Sequence, residues 1–320
     1  MKKKFVLTLA LVLMVAGTLV AATPLEVSGS FKAGYDYTFA SPNSFLVAND
    51  HNATVNFEFA GDFWDLEISG DVLYDENSVG ATANIYLDKG LAEKGVDMGD
   101  VALTLHVGDS VTADATSVFA DKGELSSGLS GAGVSNVGIT LGYADMFEVY
   151  ASVEPLSSSL PMVVGVKFMP VDGVDAAVGY TNNGNGIIAS AAADIASLVG
   201  LEDIALAASV EDIYMIDAKT NELNVDVATE VSGIGLWAAL KYVDDLEAKA
   251  EASYSTTVSD FDLSAAFAVG MPDVADVDSW TYKISGGAEY AMGGATYALD
   301  ASYQIDTETF VLSPSVSLSF

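Results

Sequence analysis

Hydrophobic and polar residues alternate one for one over much of the chain. The last segment, FVLSPSVSLSF, puts Phe310, Leu312, Pro314, Val316, Leu318 and Phe320 on one face and Ser313, Ser315, Ser317 and Ser319 on the other. ATYALDASYQI sets Ala295, Tyr297, Leu299, Ala301, Tyr303 and Ile305 against Thr296, Asp300, Ser302 and Gln304. Near the start, Phe31, Ala33, Tyr35, Tyr37 and Phe39 oppose Ser30, Lys32, Asp36 and Thr38. A helical period would scatter these residues around an axis. A period of two belongs to strands with two unlike faces.

Carried along the chain, the pattern predicts about 18 strands: 26–40, 51–60, 63–74, 79–87, 100–108, 134–143, 146–153, 162–169, 174–181, 187–194, 203–211, 222–232, 234–243, 247–258, 261–269, 279–290, 294–305 and 309–320. Most have the length of a tilted strand crossing a bilayer. The stretches 187–194 and 203–211, rich in Ala and Ile, alternate poorly. Tight links are expected at Ala144–Asp145, Pro170–Gly173, Ser232–Gly233 and Ser259–Asp260, with longer ones at 154–161, 212–221 and 270–278. If both termini are periplasmic, the tight links follow even-numbered strands, where a bacterial barrel makes its short turns. The segment 88–99 breaks that parity; it is either a periplasmic excursion or a sign that the strand count is off by a pair.

Charge follows the same alternation. Lys32, Lys167, Lys241, Lys249 and Lys283 fall opposite the apolar face. So do Asp36, Glu58, Asp65, Glu67, Asp71, Glu148, Asp226, Glu230, Glu251, Asp262, Glu289 and Asp300. A lysine on a lipid-facing surface costs about 2–4 kcal/mol at the bilayer midplane, a large part of a typical folding stability. Aromatics such as Tyr37, Phe39, Phe59, Trp64, Tyr74, Tyr242, Trp280, Tyr290, Phe310 and Phe320 gather towards strand ends, as interfacial girdles require. They fall mostly on the apolar face, so no aromatic track is visible on the polar one. A soluble sandwich also alternates, but these strands are long and numerous for one. The fold class expected is all-β: a transmembrane, antiparallel, up-and-down β-barrel of about 16–18 strands.

The opening residues MKKKFVLTLALVLMVAGTLVAA have the order of a secretory signal peptide: Lys2, Lys3 and Lys4, an apolar run, then small residues. Residues 1–22 are therefore read as the signal and 23–320 as one barrel domain. All 12 basic residues are Lys, against 45 Asp and Glu. So acidic a chain without Arg excludes nucleic acid as a partner, because phosphate binding needs clustered cations. Cysteine is absent, which removes disulfide and thiolate chemistry. Half the residues are apolar (51%) and the mean hydropathy is +0.36, yet no later segment approaches a spanning helix.

On the signal peptide, the alternation and the terminal strand ending in Phe320, the chain resembles the general bacterial porins and outer-membrane barrels broadly. Pro314 departs from the terminal pattern and should mark a bulge or a frayed position near a rim. The resemblance implies an outer-membrane location, surrounding lipid and lipopolysaccharide, and recognition of the last strand by barrel-assembly machinery. It also implies a homotrimer and passive diffusion of small hydrophilic solutes and ions. The acids on the inner face, with Glu58, Glu67, Asp71, Glu148, Lys167, Asp226, Glu230, Asp262, Glu289, Asp300 and Asp36 as pore-lining candidates, should favour cations. In general porins the long loop after the fifth strand folds inward. By that resemblance Asp109, Asp114, Asp121 and Glu124 of segment 109–133 would form an acidic constriction. The alternatives are a solvated outer loop or an unrecognised strand pair around 111–119.

Nothing in the sequence carries a catalytic set or a cofactor site, and an enzyme is not expected. His51 and His106 read as isolated polar-side histidines. Asp273, Asp276 and Asp278 could offer oxygen ligands to Ca²⁺, but their spacing fits no EF-hand loop. NNGNG at 182–186 reads as hairpin chemistry, since no helix follows it. Beside the porin reading stands a second one: a structural or surface-interaction barrel plugged by its own side chains.

Overall fold

In the computed structural model the alternating segments are strands of one sheet that closes on itself. Residues 26–40, 44–46, 51–71, 79–108, 125–126, 136–201 and 204–319 are described. The signal segment 1–22, Phe320, and Asp109, Asp114, Asp121 and Glu124 lie outside them.

The chain opens with β1 (Glu26–Tyr35), β2 (Tyr37–Ala40), β3 (Ser44–Leu46) and β4 (His51–Gly61). Then come β5 (Trp64–Asp71), β6 (Val79–Tyr86), helix α1 (Leu87–Glu93), β7 (Val101–Gly108), β8 (Asn136–Tyr143) and β9 (Phe147–Val153). The middle holds β10 (Met162–Val171), β11 (Val174–Thr181), β12 (Gly186–Asp194), helix α2 (Ile195–Val199), β13 (Ala205–Met215) and β14 (Thr220–Val231). The last part is β15 (Ile234–Tyr242), β16 (Leu246–Val258), β17 (Phe261–Met271), β18 (Thr281–Met292), β19 (Ala295–Gln304) and β20 (Thr309–Ser319).

Neighbours in sequence pair antiparallel throughout, and β20 returns to pair with both β1 and β2. β1 with β2, and β3 with β4, are halves of single interrupted strands, so these 20 elements make an 18-strand closed barrel. Closure matters physically. In hydrocarbon an unpaired backbone N–H or C=O has no water to turn to, and only a sheet without edges satisfies all of them.

The break between β1 and β2 has a local cause. Pro314 is not at a rim: it pairs with Leu299 in unbroken register in the middle of β20. Its carbonyl oxygen faces Gly34 of β1, and a residue's N–H and C=O point to the same side of a strand. The missing proline donor is therefore on the β1 side. There the β1–β20 pairing stops at Gly34↔Ser315 and the β2–β20 pairing resumes only at Tyr37↔Leu312. The expected bulge or frayed position is instead a gap in the partner strand.

The turns at one rim are very short. Ala144 and Asp145, and Ser232 and Gly233, take positive φ at both central positions, the backbone twist that a two-residue hairpin demands. The exception expected at 88–99 is an excursion that begins with α1, and a second one holds α2 between β12 and β13. At the other rim the long connection expected at 212–221 shrinks. β13 continues to Met215 and β14 begins at Thr220, because the alternation of Ile213–Met215 extends the ladder further than its sequence suggested. The NNGNG segment is a tight β11–β12 turn.

The packing is inverted relative to a soluble protein. Val210, Leu236, Leu240, Ile284 and Leu299 are exposed on the outer face, whereas Glu211, Asn224 and Asp226 are buried inside. Aromatic pairs lie near both rims: Phe261 stacks on Tyr290 at 4.9 Å, and Phe39 meets Phe310 at 5.8 Å. A continuous exposed apolar belt of this kind suits hydrocarbon and not water.

Candidate functional site: the inner wall of the barrel

Which side chains face inward follows from the register, because cross-strand partners share a face. Starting from buried Glu211, the pairs Glu211↔Asn224, Asn224↔Lys241, Lys241↔Glu247, Glu251↔Ala268, Ala268↔Lys283 and Lys283↔Gln304 run along one face. The same face holds Asp226, Glu230, Glu251, Asp262, Glu289 and Asp300, and, across the closure, Lys32; Asp36 lies in the unpaired gap between β1 and β2. Glu58, Asp65 and Glu67 continue it, and Glu148 sits directly opposite Lys167. Asp71 pairs with Thr54 in the same continuing register.

The sequence reading missed Asp175, Glu211, Glu222 and Glu247 on this face. Glu247 shares its parity with Lys249 and was legible. Glu211 was hidden because alanines occupy both faces of β13. Among the described strand residues, Asp212 is the one acid or lysine with outward parity, and it lies near the rim end of β13.

The wall is not uniform. Along β9–β14 the inward residues Tyr150, Ser152, Val163, Thr181, Ile188, Ser190, Ser209, Glu211, Asn224 and Asp226 are buried. Along β16–β19 the inward Glu251, Asp262, Lys283, Glu289 and Asp300 are exposed. Open volume lies against β13–β20, in two adjoining cavities of about 660 and 450 Å³ that share Glu251, Ser253 and Lys283.

Two residues of the long 109–133 segment are described, and both sit inside the barrel. Leu125 is buried, and the Ser126 hydroxyl donates to Glu211. Glu211 belongs to a packed polar cluster. Asn224 Nδ2 donates to Glu222 at 2.8 Å and to Glu211 at 3.4 Å, and Lys241 pairs with Glu222 at 3.4 Å. Asp226 accepts from the Ser209 hydroxyl and, at 3.2 Å, from the Trp237 indole N–H. Burying carboxylates is costly unless hydrogen bonds and a counter-charge replace the water they lose. Here each carboxylate accepts hydrogen bonds, and Glu222 gains the Lys241 ammonium as well.

Tyr150 lies flat across Gly165, where a Cβ would come within 2.1 Å of its hydroxyl. Glycine is required there by that close approach.

A second network crosses β5–β8. Asp65 accepts from Asn84 Nδ2 at 2.8 Å and from the Tyr86 hydroxyl. A carboxylate can only accept, so the Asn84 amide is oriented with Oδ1 towards His106 Nδ1, 2.7 Å away. Nδ1 then carries the proton, and Nε2 accepts from Thr140 Oγ1 at 2.8 Å. His106 is therefore not isolated, as its sequence context suggested, but the centre of a wall-spanning chain. The ring of Tyr86 is also covered by the Lys89 ammonium of α1, 3.9 Å from its centroid.

The acids between β17 and β18 hold their own turns. Asp273 accepts from the backbone N–H of Ala275, and Asp276 from that of Asp278. Among the described residues no group of three or more His, Asp or Glu converges as metal ligands would. Trp237, Tyr150 and Tyr86 are aromatics on the inner face, on the separated strands β15, β9 and β6. The signal was present, since Trp237 has the parity of Lys241, but one tryptophan amid outward-facing leucines reads as part of the belt.

No protein-family model matches the chain, and no curated protein matches its sequence. Solved structures do match in shape. Pseudomonas aeruginosa OprD superposes with a TM-score of 0.58 at 10% identity, covering 92% of this chain and 95% of that one. P. aeruginosa OccK1 (OpdK) gives 0.59 at 8% identity, with 92% and 98% covered. P. aeruginosa OccK2 (OpdF) in complex with glucuronate gives 0.59 at 10%, with 92% and 96% covered. At identities this low the likeness is one of fold, and the fold is that of an outer-membrane porin barrel.

Proposed function

We propose that this chain is an outer-membrane channel for passive diffusion of small hydrophilic solutes and ions, and that it favours cations. The observation that carries the reading is the sorting of charge. Acids greatly outnumber lysines on the inward face, while the outward face of the described strands carries Asp212 alone. Low-dielectric walls focus such an imbalance and raise the local concentration of cations. Segment 109–133, held at Ser126 by Glu211, narrows the passage and adds Asp109, Asp114, Asp121 and Glu124 to its field. The signal peptide 1–22 is removed on export, the strand ending in Phe320 is read by the assembly machinery, and the barrel works as a homotrimer among lipid and lipopolysaccharide.

The test is a planar bilayer under a salt gradient. A reversal potential of the sign given by cation flow supports the reading, and one of the opposite sign overturns the selectivity.

A second reading is favoured by the burial of Tyr150, Ile188 and Asn224 on the inner wall. In it the barrel is plugged and serves the envelope structurally. Liposome swelling with sugars of graded size separates the two, since a plugged barrel admits none.

A further inference from the structure

Trp237 stands on the inner wall of a wet barrel, where an indole ring gains nothing from lipid and orders water around it. Its N–H is tied to Asp226 at 3.2 Å, which fixes the ring without covering it. The wall beside it is recessed. Inward positions that elsewhere carry Ser, Asp or Glu are here Ala205, Ala207, Ala228, Gly235, Ala268 and Gly270. Their small size opens the cavity of about 660 Å³. A Cβ at position 270 would come within 2.6 Å of Thr281 Oγ1, so the floor is clear at that point only because glycine is there.

The rim of the recess carries Glu230, Lys249, Glu251, Thr281, Lys283 and Gln304. Two acids and two lysines balance formally, unlike the rest of the inner wall. No ion pair among the described residues engages Lys249, Lys283, Glu230 or Glu251. The charges are interleaved, Lys249 and Glu251 at alternate positions of β16, so no separated positive and negative poles await a zwitterion. What the rim offers is donors and acceptors side by side around an aromatic face. That combination matches a ring of hydroxyl groups with an apolar C–H face: the hydroxyls need both kinds of partner, and the C–H face covers the indole.

We infer that this recess is a binding subsite for a neutral sugar, with Trp237 as its stacking platform. The inference rests on the channel reading and gives that channel a preferred solute class.

Glucose, maltose and glycine are the probes. In the full-length protein in detergent, with Trp64→Phe and Trp280→Phe leaving Trp237 as the one tryptophan of three, a sugar titration should change the fluorescence and saturate. Glycine should leave it unchanged. In bilayers the wild-type KCl current should fall saturably with added sugar. Trp237→Ala should raise the half-saturating concentration about tenfold or more, the loss of one aromatic contact, and Trp237→Phe should do so less. Gly270→Leu, which fills the floor, should also abolish saturation. A sugar response that stays linear in both assays, or saturation by glycine instead of sugar, overturns the subsite. A wild-type protein that carries no KCl current contradicts the channel reading instead, and the fluorescence titration then still decides for or against the recess.

Discussion

The hydroxyl of Ser126 donates a hydrogen bond to Glu211 across 85 residues of chain. It joins the segment after β7 to the inner wall at β13. The same Glu211 oxygen, Oε1, also accepts from Asn224 Nδ2, which donates as well to Glu222, itself paired with Lys241. The contact is therefore made to a braced carboxylate and not to a free side chain.

Ser126→Ala removes the donor, and Glu211→Ala leaves Asn224 without one acceptor. Leaving a buried polar group unsatisfied costs about 1–3 kcal/mol. Both variants should show larger and noisier single-channel currents than wild type, with Glu211→Ala the stronger. Identical traces for all three proteins would mean that Ser126 does not restrain the passage.

Selectivity should follow the number of acids near the narrow part. Asp114→Asn, Asp121→Asn and Glu124→Gln together should move the reversal potential towards zero. Asp262→Asn with Asp300→Asn, on the open wall, should move it less. An unchanged potential in the first variant would remove segment 109–133 from the conduction path.

The two faces should respond oppositely to a new charge. Leu240→Lys places an ammonium on the outer belt and should destabilise the barrel by about 2–4 kcal/mol. Ser264→Lys, on the inner face of β17, should cost far less. Urea unfolding in lipid vesicles reads both. Equal losses would contradict the assignment of faces.

Asp306 sits in the turn after β19, outside the membrane-spanning strands. Desolvation, the largest single effect, opposes its ionisation, but hydrogen bonds from the Gln304 amide (2.6 Å), the Tyr282 backbone N–H (3.2 Å) and its own backbone N–H together outweigh it. The carboxyl is held below its ordinary range. A depressed folded-state value stabilises the fold above the unfolded carboxylate range, and this is lost as pH falls through the folded one. Asp306→Asn should therefore narrow the stability difference between neutral and acid solution. Denaturant midpoints at the two pH values measure it.

His106→Phe should strand Asn84 Oδ1 and Thr140 on the wall of β6–β8, costing about 1–3 kcal/mol. His106→Gln, which can donate and accept in the same places, should recover part of that in the same unfolding assay.

What the sequence by itself determined is what a period of two can encode. It specified which side chain belongs to which face, hence the inward set from Lys32 to Asp300, the 18 strands, and the tight turns at Ala144–Asp145 and Ser232–Gly233. Each depends only on residues near one another in the chain. Tertiary structure decided which inward residues meet. Glu211 lies beside Asn224 because turn length sets the register, and against Ser126 because a distant segment enters the barrel. Pro314 opens a gap in β1 rather than in its own strand because a missing donor is felt by the partner. Trp237 borders a recess because the small residues that form it come from three other strands, and no local pattern records which strands will be neighbours once the cylinder closes.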